Sequence, residues 1–341
     1  MRGKRLALAV MMACAGSVAV APLRLSAQTA TPEVVKIDKA RIDAALKAMI
    51  ADGRAAGTSA LIWQDGREVY YGAAGMADRV GGRPMARDTI VQIYSMTKPV
   101  TGVALMQLWE RGKFGLDDPL AKYLPEYANM RVYAGKDAEG QPHYVAAERP
   151  ISVRDILRHT AGFAYGAGPT PAHDAYVAAN PLALTIPLAE ASKRLAGVPL
   201  LYQPGAQWEY SIAVDVQAAL VETLSGERFA DYVRTHIFEP LGMADTAWRQ
   251  PDAKLPRFAA MNIKTDGKLV QQDTATARKL NFEDHALTPG GFGLASTLDD
   301  YQRFARMLLN EGELGGARIL KPSTVRLMAT DQLDPAIQDR A

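Results

Sequence analysis

From Pro99 to Trp109 the chain carries no charged side chain and is apolar nearly all round, and immediately ahead of this run stands Ser95-Met96-Thr97-Lys98. A helix without a polar face has no side to turn to water, so the rest of the domain must enclose it. Its N-terminus carries a hydroxyl and an amine three residues apart, neighbours on one helical face. The Lys98 amine then falls within hydrogen-bond reach of the Ser95 oxygen, a route to a nucleophilic serine that needs no histidine. The unpaired N–H groups and the positive dipole end of the helix favour negative charge developing at the same place. Pro99 falls in the first turn, where a missing N–H costs least, and Arg111-Gly112 ends the helix. Taken alone, Ser-x-x-Lys arises by chance in many proteins, so the context has to discriminate.

A chain of 341 residues with 48% apolar residues can bury a sizeable core, as one large domain or two lobes. Its first residues read as an export signal (residues 1–27), with a basic start at Arg2, Lys4 and Arg5 and an apolar stretch from Leu6 to Ala21. Cleavage fits Ala19-Val20-Ala21 by size but meets Pro22, whereas Ser26-Ala27 is better placed against Gln28. The expected location is periplasmic or secreted. Cys14, the one cysteine, sits inside this segment, so a cut downstream leaves no thiol; a cut at Met12-Ala13-Cys14 would instead leave a lipid anchor. Loss of Arg2, Lys4, Arg5 and Arg24 takes the formal charge from +2 to −2. A near-neutral surface gives no reason to expect nucleic acid or an anionic membrane as partner, and no later stretch is long enough to span a bilayer. Nothing in the sequence speaks to oligomeric state.

The remainder, 28–341, reads as one domain. Ile42, Leu46, Met49 and Ile50 recur at helical spacing from about Asp38 to Ala51, and Thr58 to Gln64 with Glu68 to Ala73 reads as a β-hairpin. From about 112 to 286 the pattern is mostly helical, with Met130 to Pro150 and Gly166 to Pro187 as loops. Val216, Leu220 and Leu224 mark one helix ending at Gly226; Phe229, Tyr232, Val233, His236 and Ile237 mark the next, ending before Pro240. Thr297 to Asp300 resembles a capping box ahead of Tyr301, Phe304, Met307 and Leu308.

Two further segments can carry chemistry. Trp208-Glu209-Tyr210-Ser211-Ile212 follows the turn at Pro204-Gly205. A lysine ammonium beside a phenol favours the phenolate, and a phenolate at Tyr210 could take the serine proton and later return it to a leaving group. The plainer alternative for Tyr210 is a buried aromatic with a satisfied hydroxyl. Pro289-Gly290-Gly291-Phe292-Gly293 either brings backbone close to a ligand or is a turn before the last helix. No Gly-x-Ser-x-Gly occurs. His143, His159, His173, His236 and His285 lack metal-ligand spacing, and no glycine loop has the spacing of a phosphate cradle, so neither metal nor cofactor is expected.

The order of the motifs resembles the serine β-lactamase and penicillin-binding-protein superfamily, most closely the class C β-lactamase-like branch with the family VIII carboxylesterases. The resemblance rests on Ile93-Tyr94-Ser95-Met96-Thr97-Lys98-Pro99, Leu116-Asp117-Asp118-Pro119 with Tyr123-Leu124-Pro125, and Ile156 to Phe163. Tyr210-Ser211, Glu239 to Met243 and Gly290 to Thr297 complete it. It implies Ser95 as acyl-accepting nucleophile, Lys98 as its activator and Tyr210 as general base and acid. Tyr94, Trp208, Ile212, Gly291 and Phe292 would line the substrate site. It also implies an α+β, two-lobed fold: an antiparallel sheet flanked by helices plus an all-helical lobe, the site opening between them.

Two departures stand out. Where the β-lactamases of this branch have Tyr-x-Asn, Ile212 replaces the asparagine, which tilts the expectation from β-lactams to esters with small or apolar acyl groups. The family's third motif, a Lys-Thr-Gly type on a sheet strand, is expected well after Gly290. This chain has no glycine after Gly316 and no strand-like run after Leu320. The expectation is therefore an incomplete sheet and loss of the second oxyanion donor, worth about 10²–10³ in rate. Three readings stay open: a secreted serine esterase, a β-lactamase or D-amino-acid peptidase on the same scaffold, and a non-catalytic cell-envelope binding protein or inactive fragment.

Overall fold

Helix α1 (Lys39–Ala51) starts on Asp38, whose carboxylate accepts from the Arg41 N–H at 3.0 Å. The computed structural model describes residues 36–273 and 279–339, and the leader with Cys14 and its cleavage sites lies outside the described residues. Strands β1 (Gly57–Gln64) and β2 (Arg67–Asp78) pair antiparallel from Gly57 opposite Gly75 to Gln64 opposite Arg67. Asp65 and Gly66 both take positive φ, 51° and 77°, as a two-residue hairpin turn requires. β2 runs past Ala73, and β3 (Arg83–Pro84) pairs with its far end, so this sheet has three strands.

β4 (Val91–Gln92) leads through a 3₁₀ turn, Tyr94–Met96, into α2 (Thr97–Glu110). Val100, Val103, Ala104, Leu105, Met106 and Leu108 are all buried, and α2 runs through the middle of the main core as its uncharged sequence requires. Truncating Leu105 or Leu108 to alanine would cost about 2–5 kcal/mol. Gly112, at φ 68°, turns the chain away.

The middle of the chain is mostly helical, with differences from the reading above. Met130 to Pro150 is not a loop: β5 (Arg131–Lys136) and β6 (Pro142–Ala146) pair antiparallel through the cross-strand tyrosines Tyr133 and Tyr144. α3 (Val153–Leu157) opens with a full capping box, Ser152 and Asp155 each bonding the other's backbone N–H. α4 (Pro171–Ala179) occupies part of the Gly166 to Pro187 segment, and α5 (Leu188–Ala196) follows. β7 (Gln207–Trp208) precedes α6 (Ala213–Ser225), which packs along α2 and ends at Gly226 with φ 75°. α7 (Phe229–Val233) continues through a π turn, Arg234–Phe238, into α8 (Glu239–Leu241), so the helix does not stop before Pro240. The π turn lets Pro240 stand in the first turn of a fresh helical segment, where its missing N–H is tolerated.

β8 (Asn262–Thr265) and β9 (Lys268–Gln271) form another hairpin. β10 (Ala295–Ser296) pairs antiparallel with β4, and α9 (Leu298–Leu309) begins at Thr297, whose hydroxyl accepts from the Asp300 N–H at 3.2 Å. The reciprocal half of a capping box goes elsewhere, because the Asp300 carboxylate accepts from the Asp245 N–H and the Thr246 hydroxyl. α9 lies against β1, with the Arg306 guanidinium 3.7 Å from the Trp63 ring centroid, and Arg87 bridges Glu68 to Asp299. β11 (Glu313–Leu314) and β12 (Ala317–Arg318) form a short hairpin before α10 (Pro322–Met328). Beyond Leu320, where no strand was expected, β13 (Gln338–Asp339) pairs in parallel with β7. The architecture is α+β, with helices α1 and α9 beside the antiparallel hairpin and the described residues from Asp38 onward in one compact unit. No helix among the described residues is long and apolar enough to cross a membrane.

Candidate active site

Ser95 is exposed at the crest of the 3₁₀ turn that feeds α2. Tyr94, just before it, sits at φ 44°, a left-handed conformation that a tyrosine holds only when its surroundings impose it. Three bonds do so. The Thr97 hydroxyl donates to the Tyr94 carbonyl at 2.6 Å, the Leu294 N–H donates to the Thr97 hydroxyl at 3.3 Å, and the Ile93 N–H donates to the Leu294 carbonyl at 2.9 Å.

Three residues on, the Lys98 amine donates to Ser95 Oγ at 3.2 Å and to the Gly291 carbonyl at 2.8 Å. It also lies 4.5 Å from the Tyr210 ring centroid and 5.2 Å from that of Tyr165. Tyr210 arrives from β7, its hydroxyl donating to Ser95 Oγ at 2.7 Å. The structure thus brings Ser95, Lys98 and Tyr210 together at hydrogen-bond distance.

The Tyr210 ring is held between two others. His159 stacks on it at 5.2 Å and 29°, Tyr165 at 5.6 Å and 10°, and Trp208 meets His159 edge-on at 6.1 Å. His159 Nδ1 accepts from the Ser211 N–H at 3.2 Å, and burial, aided by the Lys98 charge, pushes the imidazole down to about 4. It is therefore neutral at physiological pH and serves as an aromatic wall. Burial also holds the Tyr165 phenol above its usual range. Asp215, in the first turn of α6, is buried; its Oδ1 accepts from the Gly290 and Gly291 N–H groups at 2.9 and 3.2 Å. Burial pushes that carboxyl up to about 6, against the pull of these N–H groups and Lys98.

The expected lining residues separate into two groups. Tyr94 is exposed beside Ser95, while Trp208 and Phe292 are half-buried. Ile212 is buried in the main core, its N–H on the Ala164 carbonyl. Gly291 is buried as well, and its carbonyl faces Lys98 rather than open space. His159, Tyr165 and Asp215 were not singled out by the sequence. Asp215 had a legible signal, as the one charge in the apolar stretch from Ile212 to Val221. The partners of Tyr165 and His159 are stacked rings distant in sequence, which no local spacing reveals.

A serine oxygen contacted by an amine and a phenol, at the mouth of a buried helix, can exchange its proton and attack a carbonyl. Comparison with known proteins points the same way. The Beta-lactamase family model matches residues 42–341. A Mycobacterium tuberculosis protein is 34% identical over 302 residues, covering 85% of this chain and 71% of its own. Esterase EstB of Burkholderia gladioli is 30% identical over 303 residues, covering 82% and 73%. The simvastatin synthase LovD of Aspergillus terreus superimposes with a TM-score of 0.73 at 25% identity, covering 89% of this chain and 75% of that one. The scaffold is that of a serine hydrolase, and the chain belongs to the beta-lactamase family.

Proposed function

We propose that this chain hydrolyses carboxylic esters through an acyl-enzyme at Ser95, with Lys98 and Tyr210 handling the proton. The observation that carries the reading is the double contact on Ser95 Oγ, 3.2 Å from the Lys98 amine and 2.7 Å from the Tyr210 hydroxyl. Once the Tyr210 hydroxyl has given up its own proton to solvent, the phenolate accepts the serine proton as Oγ bonds the ester carbonyl carbon and the carbonyl oxygen becomes an oxyanion. Collapse breaks the bond to the alkoxide, which leaves with the proton that Tyr210 has taken. Water then repeats the sequence on the acyl-serine and releases the carboxylic acid.

Apolar acyl groups fit the surroundings. Exposed Tyr94, Met96, Tyr165 and Tyr210 cluster in and around the site. Esterase EstB, the simvastatin synthase LovD and the acyltransferase mokF of Monascus pilosus, all similar to this chain, support acyl transfer as the chemistry. Export by the leader of residues 1–27 is part of the same proposal.

The test is turnover of p-nitrophenyl butyrate against a chromogenic cephalosporin, with Ser95→Ala as control. Ester turnover that dominates and vanishes in the variant supports the reading. Faster opening of the cephalosporin would favour a β-lactamase, and neither activity would favour a binding protein.

A further inference from the structure

The backbone of Gly290 and Gly291 is clamped from three sides. The Asp215 carboxylate takes both N–H groups, Thr101 Oγ1 donates to the Gly290 carbonyl at 2.7 Å, and Lys98 donates to the Gly291 carbonyl at 2.8 Å. There is no room for a side chain. A Cβ at Gly291 would stand 2.8 Å from Asp215 Oδ2, 3.4 Å from the Lys98 amine and 3.5 Å from the Tyr165 hydroxyl. Three polar groups thus converge on one small volume behind Ser95.

Asp215 Oδ2 is buried and has no hydrogen-bond partner among the described residues, an expensive state for a carboxylate. The other fully buried carboxylate near the site, Asp155, is different: Arg149, Arg158, Thr160 and Ser152 satisfy both of its oxygens. A carboxylate needed only to hold the loop would do so with one oxygen, and an asparagine would serve as well. What asparagine lacks is a charge facing the lysine.

We propose that Asp215 is a positioning residue for the reaction at Ser95: Oδ1 holds Gly290 and Gly291 by their N–H groups and so places the Gly291 carbonyl that aims the Lys98 amine, and Oδ2 supplies the negative charge that the amine faces. The inference rests on the reading of Ser95 as the acylated nucleophile. Lys98, Tyr165 and Tyr127 are the charged or titratable groups that act on this carboxylate. Burial keeps both phenols above their usual range and His159 ionises only at about 4, whereas burial raises Asp215 to about 6, so the loss of a transition near pH 6 in an Asp215 variant is what assigns it.

The experiment follows fluorophosphonate modification of Ser95 by intact mass across a pH series, in the wild type and in Asp215→Asn. The wild-type rate constant is expected to rise through about pH 6 as Asp215 ionises. Asp215→Asn keeps the carbonyl acceptor and is expected to lose that rise. It should modify on the order of 10-fold or more slowly at saturating probe, with the half-saturating concentration unchanged and the melting temperature no lower. A merely structural role, which asparagine would fill as well, would leave both the rate and the pH profile in place. An Asn variant that reacts at the wild-type rate with the wild-type profile overturns the proposal. So does a wild type without a rise near pH 6, which decides the matter even for a variant that does not fold. Failure of the underlying reading is separately visible, as no adduct in the wild type or an adduct that survives Ser95→Ala, and it removes the inference with it.

Discussion

The Tyr210 hydroxyl reaches Ser95 Oγ at 2.7 Å across a separation of 115 residues. Neither residue can act on an ester in the proposed way without the other. Tyr210→Phe keeps the ring stack and removes only the oxygen that exchanges the proton. The expected result is a fall in kcat of about 10²–10⁴ with little change in KM, read on p-nitrophenyl butyrate. Lys98→Met should fall at least as far, because it also releases the Gly291 carbonyl.

Gly290 is the least replaceable residue of the loop. A Cβ there would stand 2.3 Å from the Val214 carbonyl oxygen and 2.8 Å from the Ala218 Cβ, both fixed on α6. Gly290→Ala is expected to cost about 1–3 kcal/mol or more and to lower Ser95 reactivity at the same time. Chemical denaturation and fluorophosphonate labelling of the same sample check both.

Replacing Ile212 by asparagine would recreate the Tyr-x-Asn pattern without recreating its use. Ile212 is 3% exposed, so the amide would be buried among apolar side chains rather than offered to a substrate. Ile212→Asn should destabilise by about 1–3 kcal/mol and bring no gain in cephalosporin opening. A gain in that activity would show that the side chain can reach the substrate.

His159 makes the fold acid-sensitive. Its imidazole is neutral in the folded state and ionises at about 4 rather than 6.5, so the unfolded chain binds the proton first. The stability it contributes is complete above pH 6.5 and is lost as pH falls through 4, about 3 kcal/mol in all. Asp215 has the opposite sign, because its raised value lets the folded state take up a proton first as pH falls through about 6. Urea denaturation at a series of pH values should therefore show His159→Gln less acid-sensitive than the wild type.

Much of this was legible because it rests on local patterns. The uncharged run after Lys98 forces a buried helix, and the Ser95–Lys98 spacing places two groups on one face whatever surrounds them. The hairpin around Asp65-Gly66 is likewise local chemistry. What escaped depends on contacts distant in sequence. Ile212 and Gly291 looked available to substrate, yet the packing of α6 against α2 buries the first and the Asp215 clamp buries the second. The β5–β6 hairpin was hidden because Lys136 to Gln141 is polar and Gly-containing, and only the paired tyrosines mark its strands. The π turn before Pro240 has no sequence signature at all.

Two of the three bonds that hold the strained Tyr94 backbone join residues about two hundred positions apart, Ile93 and Thr97 on one side and Leu294 on the other. β4 and β10 span the same gap. During synthesis the first partner leaves the ribosome long before the second exists, and contacts of such high sequence separation form late. Ser95 thus acquires its backbone geometry only after most of the chain has been made. A nascent polypeptide carries the serine, the lysine and the tyrosine for much of that time, but without the tether that sets the turn.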